Sequence, residues 1–535
     1  DWSLVTTELF CGGRIYSPSA PDATAMAVTD GIISWIGEDR TGRALHPGVP
    51  ITDLAGSFVA PAFVDTHVHV TDLGLSLIGL DLSRSTSVEE CLRMVREHAA
   101  SSEDELLWGH GWDESTWSEQ RPPTTAELDA AAPGRAVYLT RVDSHSAAVS
   151  TRLRFAASAA DATSGYSGQS PLTADAHHRA RQTARSLLTA DTRCRARAAA
   201  LDDAAAHGIV AVHECAGPVV SGIVDFRELM NTEHGVEVRG YWGELADTAE
   251  RARELLEETG AHGLAGDIFV DGSLGSHTAW LSSPYADGPG TGVSYADVDA
   301  IAAHIAACTT AGIQAGFHVI GDAAVSAAVT AFGRVVADLG TPAVASCGHR
   351  LEHVAMVSAQ QADLLASWGV IASMQPAFDA AWGGADGLYA ARLGAERAAE
   401  LHPFARLASA GVSLAFGSDA PVTSLDPWAT VRAAANHRTP GSSVSPRAAF
   451  SAATRGAWRA GGVRDGLAGT LVPGAPASFA VWDVDELVVR APKDSVQRWS
   501  TDPRAGVAPL PSLEASSVGP RCSMTVHRGR VVHEQ

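Results

Sequence analysis

Lysine is almost missing from this sequence: Lys493 is the only one among 39 lysine and arginine residues in a chain of 535. No amine side chain before it can serve as ligand or base. Positive charge is short overall. The 61 aspartates and glutamates leave a formal net charge of −22, which argues against nucleic acid or an acidic membrane surface as partner. Cysteine is sparse: seven residues, at 11, 91, 194, 215, 308, 347 and 522. An odd count with no CxxC pair fits neither a disulfide framework nor a zinc knuckle, and reads as reduced thiols in a cytoplasmic protein. No uninterrupted apolar run reaches the ~18 residues of a membrane helix, and no charged-then-apolar leader opens the chain. Because residue 1 is Asp1, a trimmed leader stays open. What is present, 46% hydrophobic and 19% charged residues, describes a globular protein with a sizeable core and length for two or three domains. The composition leaves room for a homo-oligomer.

The most informative stretch is Pro61-Ala-Phe-Val-Asp-Thr-His67-Val-His69. It is apolar enough for a buried strand and ends in two histidines. Side chains alternate across a strand, so His67 and His69 share a face, roughly 6–7 Å apart. Two imidazoles so placed can converge on one metal; the plain alternative is two polar residues where a strand leaves its sheet.

Residues 1–60 read as short strands and turns, with Thr29-Asp30-Gly31 a turn between two of them. Such a segment is too small to bury a core alone, and strand-like runs recur only after residue 466, at 478–482 and 525–532. Between these ends, apolar runs such as 208–213, 267–271, 314–318 and 412–416 alternate with Ala-rich helical stretches such as 298–309 and 322–339. Continuous apolar strands separated by helices imply a parallel sheet covered on both faces. Over nearly 400 residues this pattern favours an α/β architecture of the (β/α)8 TIM-barrel type over a doubly wound sheet. Residues 80–200 exceed one strand–helix unit and read as an insertion over the barrel mouth. Residues 501–519, rich in Pro, Ser and Ala, read as an irregular loop.

Further polar residues sit where apolar strands run out: His318 in Gly316-Phe-His-Val, His353 in Arg350-Leu-Glu-His, Gln375 before Pro376, and Asp419 in Gly417-Ser-Asp-Ala-Pro421. In a barrel such residues converge on one face. Taken singly, each has a structural explanation: a histidine bonded to a backbone carbonyl, or an aspartate capping a helix.

The first motif, together with the order His-x-His, His, His, Asp, resembles the amidohydrolase superfamily of metal-dependent hydrolases. Within it, the chain is similar to the branch that includes N-substituted formamide deformylases. The resemblance implies a barrel over 61–465 and one β-sandwich built by 1–60 with 466–535. It also implies that His67, His69, His318 and Asp419 are metal ligands, with His353 a ligand of a second metal or a catalytic side chain. A divalent metal, zinc by preference, can make hydroxide available at neutral pH. Asp419 is then the residue to move protons between water and leaving amine, and His353 can polarise a carbonyl as hydrogen-bond donor or cation. Arg141-Val-Asp-Ser-His145 and Asp271-Gly-Ser-Leu-Gly275 also resemble branch motifs, so His145 and Asp271 join Trp112 and Gln375 as candidate substrate contacts.

Many branch members carry a carboxylated lysine on the fourth strand, bridging two metals. Here alignment places Asp267 at that position. Asp267, Phe269 and Asp271 share strand parity, which puts Asp267 roughly 6–7 Å below the strand end. The expectation is therefore a buried structural carboxylate and one metal ion, with a two-metal site bridged by Asp271 as the rival. The function expected is hydrolysis of an amide-type C–N bond in a small molecule, N-formyl, N-acyl or cyclic. The alternatives are a deaminase acting on an amidine-type carbon and, against the intact ligand set, a non-catalytic binding protein on a decayed barrel.

Overall fold

The computed structural model describes residues 6–168, 170–489 and 508–535. Lys493 and residues 501–507 of the irregular stretch lie outside the described residues. Parallel strands form two groups: Glu237–Trp242, Ile209–Ala216 and Phe63–Val68 in that order, then Gly316–Val319, Arg350–His353, Ile371–Met374 and Ser413–Phe416. The two sheets do not merge into one ladder. Isolated parallel bridges connect them instead: Val68 with Ala420 on one side, and Tyr241–Gly263, Leu264–Ala315 and Phe269–His318 on the other. The expected strand at 267–271 is this bridged segment. It exchanges backbone bonds with the His318 strand, His318 N to Ile268 O at 3.0 Å and Val270 N to His318 O at 3.1 Å, and Val270 O also accepts from Tyr295 N at 2.9 Å.

Helices follow the strands where the sequence supplies their ends. Val298–Ala311 starts at Asp297, whose carboxylate accepts from Ala300 N, and stops at Gly312, which takes φ 70°. Asp322–Leu339 spans the helix read from the Ala-rich pattern. The apolar strands and the inner faces of these helices share one large core that includes Phe63, Phe317, Phe332, Leu351, Met374 and Phe416.

Strands from the two ends of the chain share a sheet. One sheet comprises Ile32–Gly37, Ala25–Thr29, Thr7–Cys11 and Ile51–Asp53; a second joins Arg14–Ile15 and Phe58–Pro61 to Phe479–Asp483, Arg521–His527 and Arg530–Glu534. Phe10 and Phe479 meet edge to face at 5.1 Å in an apolar cluster drawn from both sheets. The turn at Asp30 and Gly31 has φ 49° and 80°, and a side chain on Gly31 would strike Arg528 O at 2.5 Å; only glycine suits both demands. The long stretch after residue 80 builds its own five-stranded sheet, Leu80–Asp81, Leu106–Trp112, Ala136–Arg141, Ser146–Val149 and Leu172–Thr173. Among the described residues no helix is long and apolar enough to cross a membrane.

Candidate metal centre

His67 and His69 leave the Phe63–Val68 strand on one face, their rings 5.3 Å apart. The strand is held against the loop after Ser413–Phe416 by Asp65, whose carboxylate accepts from Ser418 N at 2.9 Å and from His67 N at 3.2 Å. That loop comes so close that a Cβ on Gly417 would lie 2.6 Å from Asp65 Oδ1 and 2.7 Å from His67 N. Glycine there is a steric requirement, and it brings Asp419 to the histidines. Asp419 Oδ1 is 3.5 Å from His67 Nε2 and 3.2 Å from His69 Nε2. Asp419 and His353 both adopt left-handed backbone, φ 59° and 70°, strain of the kind that clusters at functional sites.

Asp267 is the principal correction. Expected as a buried structural carboxylate, it is buried but lies among the histidines. Its Oδ1 lies 3.5 Å from His67 Nε2 and 3.4 Å from His318 Nδ1, and its Oδ2 3.4 Å from His69 Nε2. Asp267 reaches them because its segment is not a regular strand: it forms a single bridge to the His318 strand and starts just after Gly266, φ 77°. Burial opposes ionisation of Asp267, but His67, His318 and His69 around it outweigh that and hold its carboxyl well below the usual range.

The tautomers follow from the outer hydrogen bonds. His67 Nδ1–H donates to Glu352 Oε2 at 2.9 Å, and Glu352 is in turn clamped by Arg350 Nε at 2.5 Å. His318 Nε2–H donates to Gly272 O at 3.1 Å, and His353 Nδ1–H donates to Gln375 Oε1 at 2.7 Å. Each bond leaves the opposite ring nitrogen as a lone-pair donor. His67 Nε2, His318 Nδ1, Asp267 Oδ1 and Asp419 Oδ1 are buried with no hydrogen-bond partner among the described residues. Buried polar atoms are rarely left orphaned, and these four face one another. Donor atoms of His67, His69 and Asp267, of His67, His353 and Asp419, and of Asp267, His318 and His353 all fall within 4.8 Å of one another. The donor set fits a divalent cation bound by N and O ligands. Burial holds His353 well below the usual imidazole range, and His318 and His67 beside it add to that.

The other expected contacts separate. His145 lines the cavity beside the donors, its ring 5.1 Å from His318. Asp271 does not reach that cavity. It is fully buried, accepts from Ile320 N, Gly321 N and Trp280 N at 2.8–3.0 Å, and so shapes the backbone after His318. Gln375 is buried behind His353 and touches it instead of the cavity. Trp112 packs inside the inserted sheet, Nε1 donating to Leu139 O at 2.8 Å, and borders a different cavity with Glu114 and Tyr166. The aromatic wall of the central cavity is Phe378, Trp382 and Tyr389. Glu352 had escaped notice; its signal was its place beside Arg350 and His353 in one short strand.

The model of the amidohydrolase family Amidohydro_3 matches residues 51–533. Protein LONG AFTER FAR-RED 3 of Arabidopsis thaliana is 27% identical over 525 residues, 90% of this chain and 88% of its own. The N-substituted formamide deformylase of Arthrobacter pascens is 28% identical over 127 residues, 23% of each chain. The crystal structure of an uncharacterized metal-dependent hydrolase from Pyrococcus furiosus aligns at TM-score 0.68 and 26% identity, covering 90% of this chain and 99% of that one. With its strand-end donors in the order read from the sequence and the family model spanning most of its length, this chain belongs to the amidohydrolase family.

Proposed function

We propose that the chain is a metal-dependent hydrolase that cleaves an amide-type C–N bond of a small molecule. The observation that carries this reading is the set of four buried, orphaned donor atoms facing one another beside an aromatic-walled cavity. The four bridges between the parallel sheets, which bring the strand ends together in chain order, support a (β/α)8 barrel over 61–465. The apolar cluster shared by the terminal sheets supports a sandwich of 1–60 with 466–535.

Asp267 stands at the meeting point of two donor sets, His67 with His69 and Asp419 on one side, His318 with His353 on the other. Two ions would be held by these sets, His67, His69 and Asp419 serving one, His318 and His353 the other, with Asp267 within reach of both. Zinc suits the histidine-rich set. A divalent cation held there acidifies water and polarises a carbonyl oxygen. Asp419 takes the proton that water gives up on attack and returns one to the departing nitrogen, so that amide and water become carboxylate and amine. Glu352 fixes the His67 ring, Gln375 fixes His353, and the aromatic wall excludes water and seats an apolar group. The partial likeness to a formamide deformylase agrees with amide chemistry.

Metal analysis of protein purified without chelators is expected to find two ions per chain, and chelation to abolish turnover of N-formyl or N-acyl amides until zinc is restored. Asp267→Asn is expected to lower the count. Turnover by verified metal-free protein would overturn the hydrolase reading, and release of ammonia in place of a carboxylate would point to a deaminase.

A further inference from the structure

Five arginines are at least nine-tenths buried among the described residues: Arg141, Arg181, Arg185, Arg197 and Arg350. Burying a guanidinium without a counter-charge is costly, so such residues are normally paired. Four of them are. Arg141 meets Asp113 and Glu114 at 2.9 Å, Arg185 meets Asp225 at 3.0 Å, Arg197 meets Asp225 at 2.6 Å, and Arg350 meets Glu352 at 2.5 Å. Arg181 is the exception. Its Nη2 donates to Ser144 O at 2.6 Å, but no carboxylate among the described residues lies within 4 Å of it.

Arg181 does not lie in a remote corner. It comes from helix Ala174–Ser186 of the insertion and lines a cavity of about 20 Å³ whose walls also include His69, Asp267, His318, His353 and Asp419. The other carboxylates on that wall are committed. Asp72 pairs with Arg185. Asp143 pairs with Arg141 at 3.2 Å and accepts from Ser273 and Ser276. Asp267 and Asp419 belong to the donor cluster. The space suits a group of a few atoms, since a single water needs roughly 10–15 Å³. His145, His318, His353 and Asp419 also border the second, aromatic cavity with Phe378, Trp382 and Tyr389. The donor cluster thus stands between a small compartment carrying an unpaired guanidinium and a larger apolar one.

We propose that Arg181 anchors a carboxylate of the substrate, so that the compound hydrolysed is an amide with a carboxylate on one side of the scissile bond and an apolar or aromatic group on the other. This rests on the hydrolase reading of the centre, although the unpaired guanidinium is an independent observation. A guanidinium presents a planar fork of N–H donors that matches a carboxylate bidentately, and the substrate anion supplies the counter-charge that the protein does not.

The test compares N-benzoylglycine with its neutral counterpart N-benzoylglycinamide on zinc-loaded full-length protein, by calorimetry and by steady-state kinetics. The wild type is expected to favour the acid in both Kd and KM by about tenfold or more, the scale of a charge-assisted hydrogen bond. Arg181→Met is expected to collapse that ratio towards one, and Arg181→Lys, which keeps the charge, to retain part of it. Metal content and Tm are measured alongside; should the Met variant fail to fold, the Lys variant and the wild-type ratio carry the test. A wild type that binds the acid no more tightly than the amide, or a folded, metal-loaded Met variant that keeps the full ratio, overturns the proposal. Arg181-dependent binding of the acid without hydrolysis of either probe would keep the anchor and sink the hydrolase reading. Hydrolysis of the amide alone would do the reverse.

Discussion

Two buried polar clusters lie side by side under the strand ends, and they differ in one respect. In the first, Arg350 bonds Glu352 and donates to Thr66 O at 2.6 Å, Ser373 Oγ at 3.0 Å and His213 Nδ1 at 2.9 Å, while Glu352 also accepts from His67. Each charged group there has a protein partner of opposite sign or a matching donor. In the second, His67, His318, Asp267 and Asp419 are also buried, yet each presents an atom aimed at the others that no described residue satisfies, whereas in the first only the neutral His213 Nε2 is left without a partner. A satisfied buried network fixes geometry; an unsatisfied one invites a ligand. His67 belongs to both, with Nδ1 on the satisfied side and Nε2 on the open side. That is how a structural ion pair comes to aim a metal ligand.

The sharpest way to break this comparison is to change the open side alone. Asp419→Asn keeps the shape of the side chain and removes its charge. It is expected to cut turnover of a hydrolysed amide by ~10²–10⁴-fold with little change in Tm. Near-normal turnover in a variant of normal metal content would move Asp419 to the structural cluster.

Glu352→Gln attacks the satisfied side. It leaves Arg350 buried beside a neutral amide and loosens the His67 ring. Loss of such an outer partner typically costs 10–100-fold in metal affinity or activity, and breaking a buried pair costs up to about 3–5 kcal/mol of stability. Competition with a chelator and denaturant unfolding read the two effects separately. If affinity for zinc is unchanged while stability falls, the link through His67 is broken and the network serves the fold alone.

The smallest effect concerns a satisfied carboxylate far from the donors. Glu237, on the Glu237–Trp242 strand, meets Arg239 at 2.8 Å and Arg528 at 3.0 Å, with His527 at 3.6 Å. Burial pushes its pKa up, but His527, Arg239 and Arg528 more than offset this and bring it to about 2. A carboxyl depressed in the folded state stabilises the fold above its unfolded pKa, near ~4.3. It loses that contribution as pH falls through about 2. Glu237→Gln is therefore expected to lower stability by about 1 kcal/mol at neutral pH and to flatten the acid limb between those values, with turnover unaffected. Equal loss of stability at pH 2 and pH 7 would show that the ion pairs are not its source.

Much of the fold was legible. Alternating apolar strands and Ala-rich helices marked the parallel core, and the Asp-Gly turn and terminal strand runs marked the paired ends, because periodicity and turn chemistry are local properties. His67, His69, His318, His353 and Asp419 were legible as well, since each ends an apolar run and a parallel arrangement collects such ends on one face. The residues misplaced share one cause. Trp112 is expected at the pocket as an aromatic residue, Gln375 as the end of a strand and Asp271 from a motif, yet none of these local signals says which way a side chain faces once the backbone leaves regular geometry.

By itself, then, the sequence determined which residue types could hold a cation and in which chain order they arrive. The absence of any lysine but Lys493 removed a lysine-borne bridge. Tertiary structure alone decided that Asp267 takes the central place, because its position depends on an irregular segment that bridges to the His318 strand without joining a regular ladder. It alone placed Arg181, 37 residues along the chain from the Ser144 carbonyl it bonds, beside the cavity that Asp267 lines with no carboxylate among the described residues within 4 Å. Pairing of buried charges is a property of packing between distant segments, and no local pattern encodes it.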